Sequence, residues 1–233
     1  MLAKTVFILV ASALAVSASP LIQERVPTIQ CGDVLVSSSL TQTGPTGNER
    51  PAAFQNSKDA KGRRQLSTSV NGVAASKKEI FEFVQCNSTV LPDGTKFFGN
   101  AYIQTYGQVR LQSDPTQCLT ATNLNNAKTP AAVVKAKCQR IDDSGLATQW
   151  WSATYSGPNS AYIPFYLHLV GNSQTGVETG YYTFKNAAKG DARLVETLFV
   201  PPSKPTQTAQ PGEQLPLYNI PKEDFTLSLL LQA

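Results

Sequence analysis

Residues 107–151 read GQVRLQSDPTQCLTATNLNNAKTPAAVVKAKCQRIDDSGLATQWW. Four short apolar or alternating runs lie in this stretch: GQVRLQS from Gly107, CLTATN from Cys118, AAVVKAKC from Ala131 and TQWWSAT from Thr148. Asp-Pro, Asn-Asn and Asp-Asp-Ser-Gly punctuate them, and no run keeps the 3.6-residue period of a helix. Short runs divided by turn formers predict strands. On either side the pattern continues. Before it come DVLVSS (from Asp33), RQLSTSV (from Arg64), EIFEFVQC (from Glu79) and NAYIQTY (from Asn100). After it come FYLHLVG (from Phe165), GYYTFKN (from Gly180), ARLVETLFV (from Ala192) and DFTLSLLL (from Asp224).

These are three sets of four, in repeats of about 31–106, 107–160 and 161–233. Each set closes on a polar residue, a spacer and an aromatic: Asn100-Ala101-Tyr102, Gln149-Trp150-Trp151 and Glu223-Asp224-Phe225. Polar residues 41–62 and Pro-rich residues 201–216 are read as loops that expand the first and third sets. Twelve short strands in three fourfold units predict an all-β chain of β-trefoil architecture, in which closure of the sheet removes exposed edges. In the last unit Phe225, Leu227, Leu229 and Leu231 alternate with Thr226 and Ser228, the period of a strand with one buried face. This strand is expected beside Val34 to Val36. One domain from residue 19 to residue 233 suits the length.

The second unit resembles one repeat of the ricin B-type lectins, of the divergent, secreted fungal type. The matching residues are Gly107, the Cys118-Leu119 pair, the β-branched Val133-Val134 leading to Cys138, and the Gln149-x-Trp151 motif. The first and third units match in outline. The resemblance implies a β-trefoil and sugar binding. Sugar sites of that family use an aspartate after the Cys-Leu pair, an aromatic two residues before the second cysteine, and an asparagine beside the motif glutamine. Those positions hold Thr120, Ala136 and Thr148 here. A neutral hydroxyl lacks the charge assistance that roughly doubles a hydrogen bond, and Ala136 offers no ring. The residues left to make a sugar site are Thr120, Asn123, Thr148, Trp150 and Tyr155, with Tyr166 a further ring.

At the N-terminus, Lys4 precedes an apolar run of roughly a dozen residues and then small residues ending in Val-Ser-Ala at Ala18. This is the pattern of a secretory signal peptide over residues 1–18, and the run is shorter than the ~20 residues of a membrane helix. A secreted, extracellular chain with no membrane partner is expected. Its net charge of +4 is spread thinly and makes no case for nucleic acid. The basic cluster from Lys58 to Arg64 reads as a solvated loop, and Arg63-Arg64 is a candidate dibasic processing site. Cys31, Cys86, Cys118 and Cys138 are expected to form two disulfides. Three connectivities are open; Cys118 with Cys138 and Cys31 with Cys86 is favoured, because the nearer pair flanks two adjacent strands. Each loop closure would contribute about 3 to 4 kcal/mol. Asn87-Ser88-Thr89 is an N-glycosylation sequon.

Enzyme chemistry is not expected. The single histidine, His168, lies in an alternating strand and reads as a part-buried structural residue. Asp142-Asp143 reads as a turn, and neither a phosphate-cradling glycine loop nor a metal-ligand or cofactor motif occurs. Phe97-Phe98, Phe165, Tyr166 and Tyr181-Tyr182 read mostly as packing, with one or two exposed tyrosines lining a sugar groove. The expected function is a secreted, non-catalytic lectin for cell-wall or extracellular glycans. The alternative is a protease inhibitor or interaction protein that presents a long loop to a secreted or cell-surface protein. Because strand neighbours face opposite ways, Trp151, like Tyr102 and Phe225, is expected in the core with Gln149 bonding locally. Trp150 is expected to be the outward ring.

Overall fold

A computed structural model describes residues 26–43, 49–70, 73–75, 79–98, 102–122, 124, 129–156, 164–171, 181–189, 192–200 and 226–230. The chain is all-β. Its strands are β1 (Gln30–Thr43), β2 (Glu49–Lys58), β3 (Arg64–Val70), β4 (Val73–Ala74), β5 (Ile80–Asn87), β6 (Thr95–Phe98) and β7 (Tyr102–Leu111). They continue with β8 (Asp114–Ala121), β9 (Ala131–Lys137), β10 (Trp151–Ser156), β11 (Pro164–Leu169), β12 (Tyr181–Lys189), β13 (Ala192–Val200) and β14 (Thr226–Leu230). A 3-10 helix at Ser144–Gln149 leads into β10.

Six strands close a ring by antiparallel pairing: β1 with β5, β5 with β7, β7 with β10, β10 with β11, β11 with β14, and β14 back to β1. Three hairpins, β2–β3, β8–β9 and β12–β13, lie off the ring. They meet one another through β3–β9, β9–β13 and β13–β3. Strands β1, β7 and β11 run toward the hairpins, whereas β5, β10 and β14 run away from them. The opposite end of the ring is therefore framed by the pairs Gln30↔Asn87, Tyr102↔Ser156 and Pro164↔Leu230.

Alternation fills the ring. Leu40, Phe83, Val109, Trp151, Ala153, Leu167, Leu227 and Leu229 share its inner face and are almost fully buried, each large aliphatic or aromatic contributing roughly 1.5–3 kcal/mol. Gly107 sits opposite Trp151 in the ladder. A Cβ there would overlap the Val84 carbonyl of β5, so only glycine allows the close approach. The disulfides are Cys31–Cys86, joining β1 to β5, and Cys118–Cys138, joining β8 to the end of β9.

Three sequence expectations are corrected. Residues 49–58, read as loop, form β2 between β1 and β3 and bury Ala52, Ala53 and Phe54. Pro51 and the polar residues around it hide that strand from a period-2 reading. Runs NAYIQTY and GQVRLQS are one strand, β7, so the expected repeat junction after residue 106 falls inside it; Gly107 marks close packing rather than a break. Strand β14 does lie beside β1, but its partners are Leu40 to Thr43, while Val34 and Val36 pair with β5. Strand tilt in a closed ring moves the register along each strand.

Candidate functional site

The motif expected to border a sugar pocket is a buried polar hub. Gln149 is 4% exposed. Its Nε2 donates to the Lys137 carbonyl (2.8 Å) and to Thr120 Oγ1 (3.0 Å), and its Oε1 accepts from the Gln139 amide (2.7 Å) and from Gln108 Nε2 (3.4 Å). Thr120 is itself 5% exposed and donates to the Cys118 carbonyl. The Thr148 hydroxyl donates to the Gly145 carbonyl and closes a turn of the 3-10 helix, whose N-terminus is capped by Asp143. These groups tie β7, β8 and the segment after β9 together, and the Gln149 amide and Thr120 hydroxyl are spent inside the protein. Asn123 lies outside the described residues.

The tryptophan assignment divides. Trp151 is in the core as expected, with its ring stacked on Phe184 (6.0 Å between centroids) and its Nε1 donating to the Leu119 carbonyl. Trp150 is not an outward ring. It is equally buried, and its Nε1 donates to the Pro92 carbonyl at 2.6 Å. Trp150 precedes β10 as the C-cap of the 3-10 helix, and the segment after β5 covers it. Tyr102, expected in the core, is half-buried at the start of β7, and Phe225 lies outside the described residues.

Tyr155, the remaining expected sugar contact, leads to a different place. It is half-buried near the end of β10, opposite Ile103 of β7, and stacks on Phe165 of β11 at 4.5 Å. Ile103 in turn stands opposite Phe97 of β6. Side chains directly opposite in antiparallel strands share a face, so Phe97, Ile103 and Tyr155 extend the inner face of the ring out to its mouth, away from the hairpins. Phe97 is 71% exposed, the largest value among the exposed large hydrophobics described. Thr95 shares its face, two residues along, and accepts a hydrogen bond from Gln85 Nε2 (3.3 Å). Burial pushes the Tyr155 phenol pKa up, so the hydroxyl stays protonated and able to donate. On the reverse face Lys96 lies over the Tyr106 ring at 5.4 Å, a cation–π contact that anchors the strand. Among the described residues β6 pairs only with β7, so its outer edge is open.

The doublet Phe97-Phe98 is visible in the sequence as aromatic, and Pro92-Asp93-Gly94 reads as a turn; in the structure Gly94, at φ 78°, leads directly into β6. Which ring faces solvent depends on the register with β7, which the local pattern does not encode. Thr95, Gln85 and Ile103 carry no signal of their own.

The other sequence candidates are structural. Arg63 is held by Asp59 (2.6 Å) in the turn joining β2 to β3, so the basic cluster, read as a solvated loop, is an exposed hairpin tip. Asp142 is not a simple turn residue: it is 4% exposed and accepts from Ser88 Oγ, the Thr89 amide and Thr89 Oγ1. Burial raises its pKa, but those donors outweigh it and hold the carboxyl below its ordinary value. His168, partly exposed on β11, has its imidazole pushed down to about 4 by burial. Among the described residues no group of three or more His, Cys, Asp and Glu side chains is placed to hold a metal ion, and no helix is long and apolar enough to cross a membrane. Compared with known protein families and with curated proteins, the chain matches none.

Proposed function

We propose that this chain is a secreted, non-catalytic carbohydrate-binding protein of β-trefoil, ricin B-like build. Its sugar platform is the mouth of the ring rather than the pocket beside Gln149. The observation that carries the reading is the row Phe97–Ile103–Tyr155, with its outermost ring 71% exposed beside the Thr95 hydroxyl and the Gln85 amide. A pyranose presents an apolar face of C–H groups and a rim of hydroxyls. An exposed aromatic flanked by an amide and hydroxyls matches both, and barrel mouths are a recurrent place for small-molecule sites.

The six-strand ring with three mutually paired hairpins supports the trefoil reading. Two disulfides and the apolar N-terminal run support export. A glycan array with the mature protein, repeated with F97A, tests the function. The expected result is binding to at least one glycan class, weakened tenfold or more in the variant. Absence of binding at high micromolar protein would defeat the lectin reading, and undiminished binding by F97A would move the site elsewhere.

A further inference from the structure

The sequon Asn87-Ser88-Thr89 is wired into the fold in an uneven way. Asn87, the last residue of β5, is exposed at the end of the ring away from the hairpins, one residue beyond the Cys31–Cys86 disulfide. The two residues after it are held fast. Ser88 is 8% exposed; its hydroxyl donates to Asp142 Oδ1 at 2.5 Å and accepts from the amides of Val90 and Leu91. Thr89 gives both its amide (2.7 Å) and its hydroxyl (2.8 Å) to Asp142 Oδ2. Asp142 is fixed from its other side, because its amide donates to the Pro27 carbonyl and Ile141 bridges Thr28.

We propose that Asn87 is an N-glycosylation site open only before the chain folds, with Asp142 as the latch that shuts it. In the transfer, Asn87 Nδ2 bonds to the anomeric carbon of an oligosaccharide carried on a lipid diphosphate. The bond from that carbon to the phosphate oxygen breaks, the lipid diphosphate leaves, and the amide gives up one proton. Enzymes of this class select the Asn-x-Ser/Thr triplet through its third residue, whose hydroxyl must be free to be read. In the folded chain that hydroxyl and the neighbouring amide are already donated to one carboxylate, and the disulfide pins the residue before Asn87. Asn87 itself points to solvent, so a glycan added earlier is accommodated at the surface. Occupancy is then decided by a race between transfer and formation of the Asp142 contacts.

The idea rests on the secreted reading for its setting, but its test does not require export. Protein made without glycan is offered to a purified oligosaccharyltransferase and a lipid-linked oligosaccharide in two forms, folded with disulfides intact and reduced and unfolded, with modification read by mass. The expected result is rapid modification of the unfolded chain at Asn87, abolished in N87Q, and at least tenfold slower modification of the folded protein. Folded D142N, which keeps the shape of the side chain and weakens the acceptor, should be modified at least threefold faster than the folded native chain. Equal rates for folded and unfolded native protein, or no transfer to the unfolded chain, would overturn the proposal; folded D142N reacting no faster than native would overturn the role of Asp142. Failure of the chain to leave a secretory host, by contrast, would count against export alone.

Discussion

Gln149 and Gln42 are both glutamines with almost no exposure, one in the 3-10 helix beside the ring and the other on a ring strand. Gln149 closes the loop before β10, and every polar atom of its amide has a partner. Gln42, on the inner face of β1 opposite Leu227 of β14, is 1% exposed, and neither amide atom has a hydrogen-bond partner among the described residues. The ladder pairs Phe81↔Leu111, Trp151↔Leu169 and Leu227↔Gln42 recur at the hairpin end of the ring, so Gln42 stands where the other two units place leucine. A buried amide with partners is a joint; without them it carries the desolvation cost alone.

That contrast can be tested at several places. The largest effects belong beside the hub. W151A and W150A should each lose about 3–5 kcal/mol in urea unfolding, because both rings are buried and both Nε1 groups are bonded. A nearly neutral W150A would restore it as an outward ring. Next comes Q149L, which strands the Gln139 amide and the Lys137 carbonyl and should cost about 3 kcal/mol.

Two titratable groups, the part-buried His168 and the buried Asp142, repeat the contrast in pH. Burial alone lowers the His168 pKa from 6.5 to about 4, so the unfolded chain binds the proton more tightly between those values. Its contribution is present above pH 6.5 and is lost as pH falls toward 4, about 3 kcal/mol in all. Asp142, with three donors, holds its pKa below 3.8, so its contribution is lost only at still lower pH. Melting temperature against pH should fall in two stages, and H168Q should flatten the first and leave the second. A smaller effect of opposite sign is expected for Q42L, which should raise stability by about 1–2 kcal/mol, read as a higher urea midpoint at unchanged slope. Smallest of all, F97A should shift stability by less than about 0.5 kcal/mol, since its ring is mostly in solvent.

The second unit was the most legible part of the chain. CL, the β-branched run, the second cysteine and Gln-x-Trp fall on β8, β9 and the approach to β10, and both disulfides pair as the strand order suggested. The first unit was legible at β1, β3 and β5 but not at β2, whose polar, Pro-containing sequence becomes a strand only because β1 and β3 flank it. The site was less legible than the fold. Thr120 and Thr148 have the right chemistry for hydroxyl binding, yet both hydroxyls are engaged within the protein. Tyr155 was named, but its neighbours Ile103 and Phe97 come from other strands.

By itself the sequence determined the strand class, the disulfide-forming cysteines and the burial of Trp151, because period-2 alternation and turn formers act over a few residues. Tertiary structure decided the fate of the second face. Alternation says only that Trp150 points away from Trp151; the segment around Pro92, nearly sixty residues earlier, covers that side and turns a would-be surface ring into core. In the same way β7 leaves Phe97 uncovered at the mouth. Whether a side chain meets water depends on long-range partners, and no local period records them.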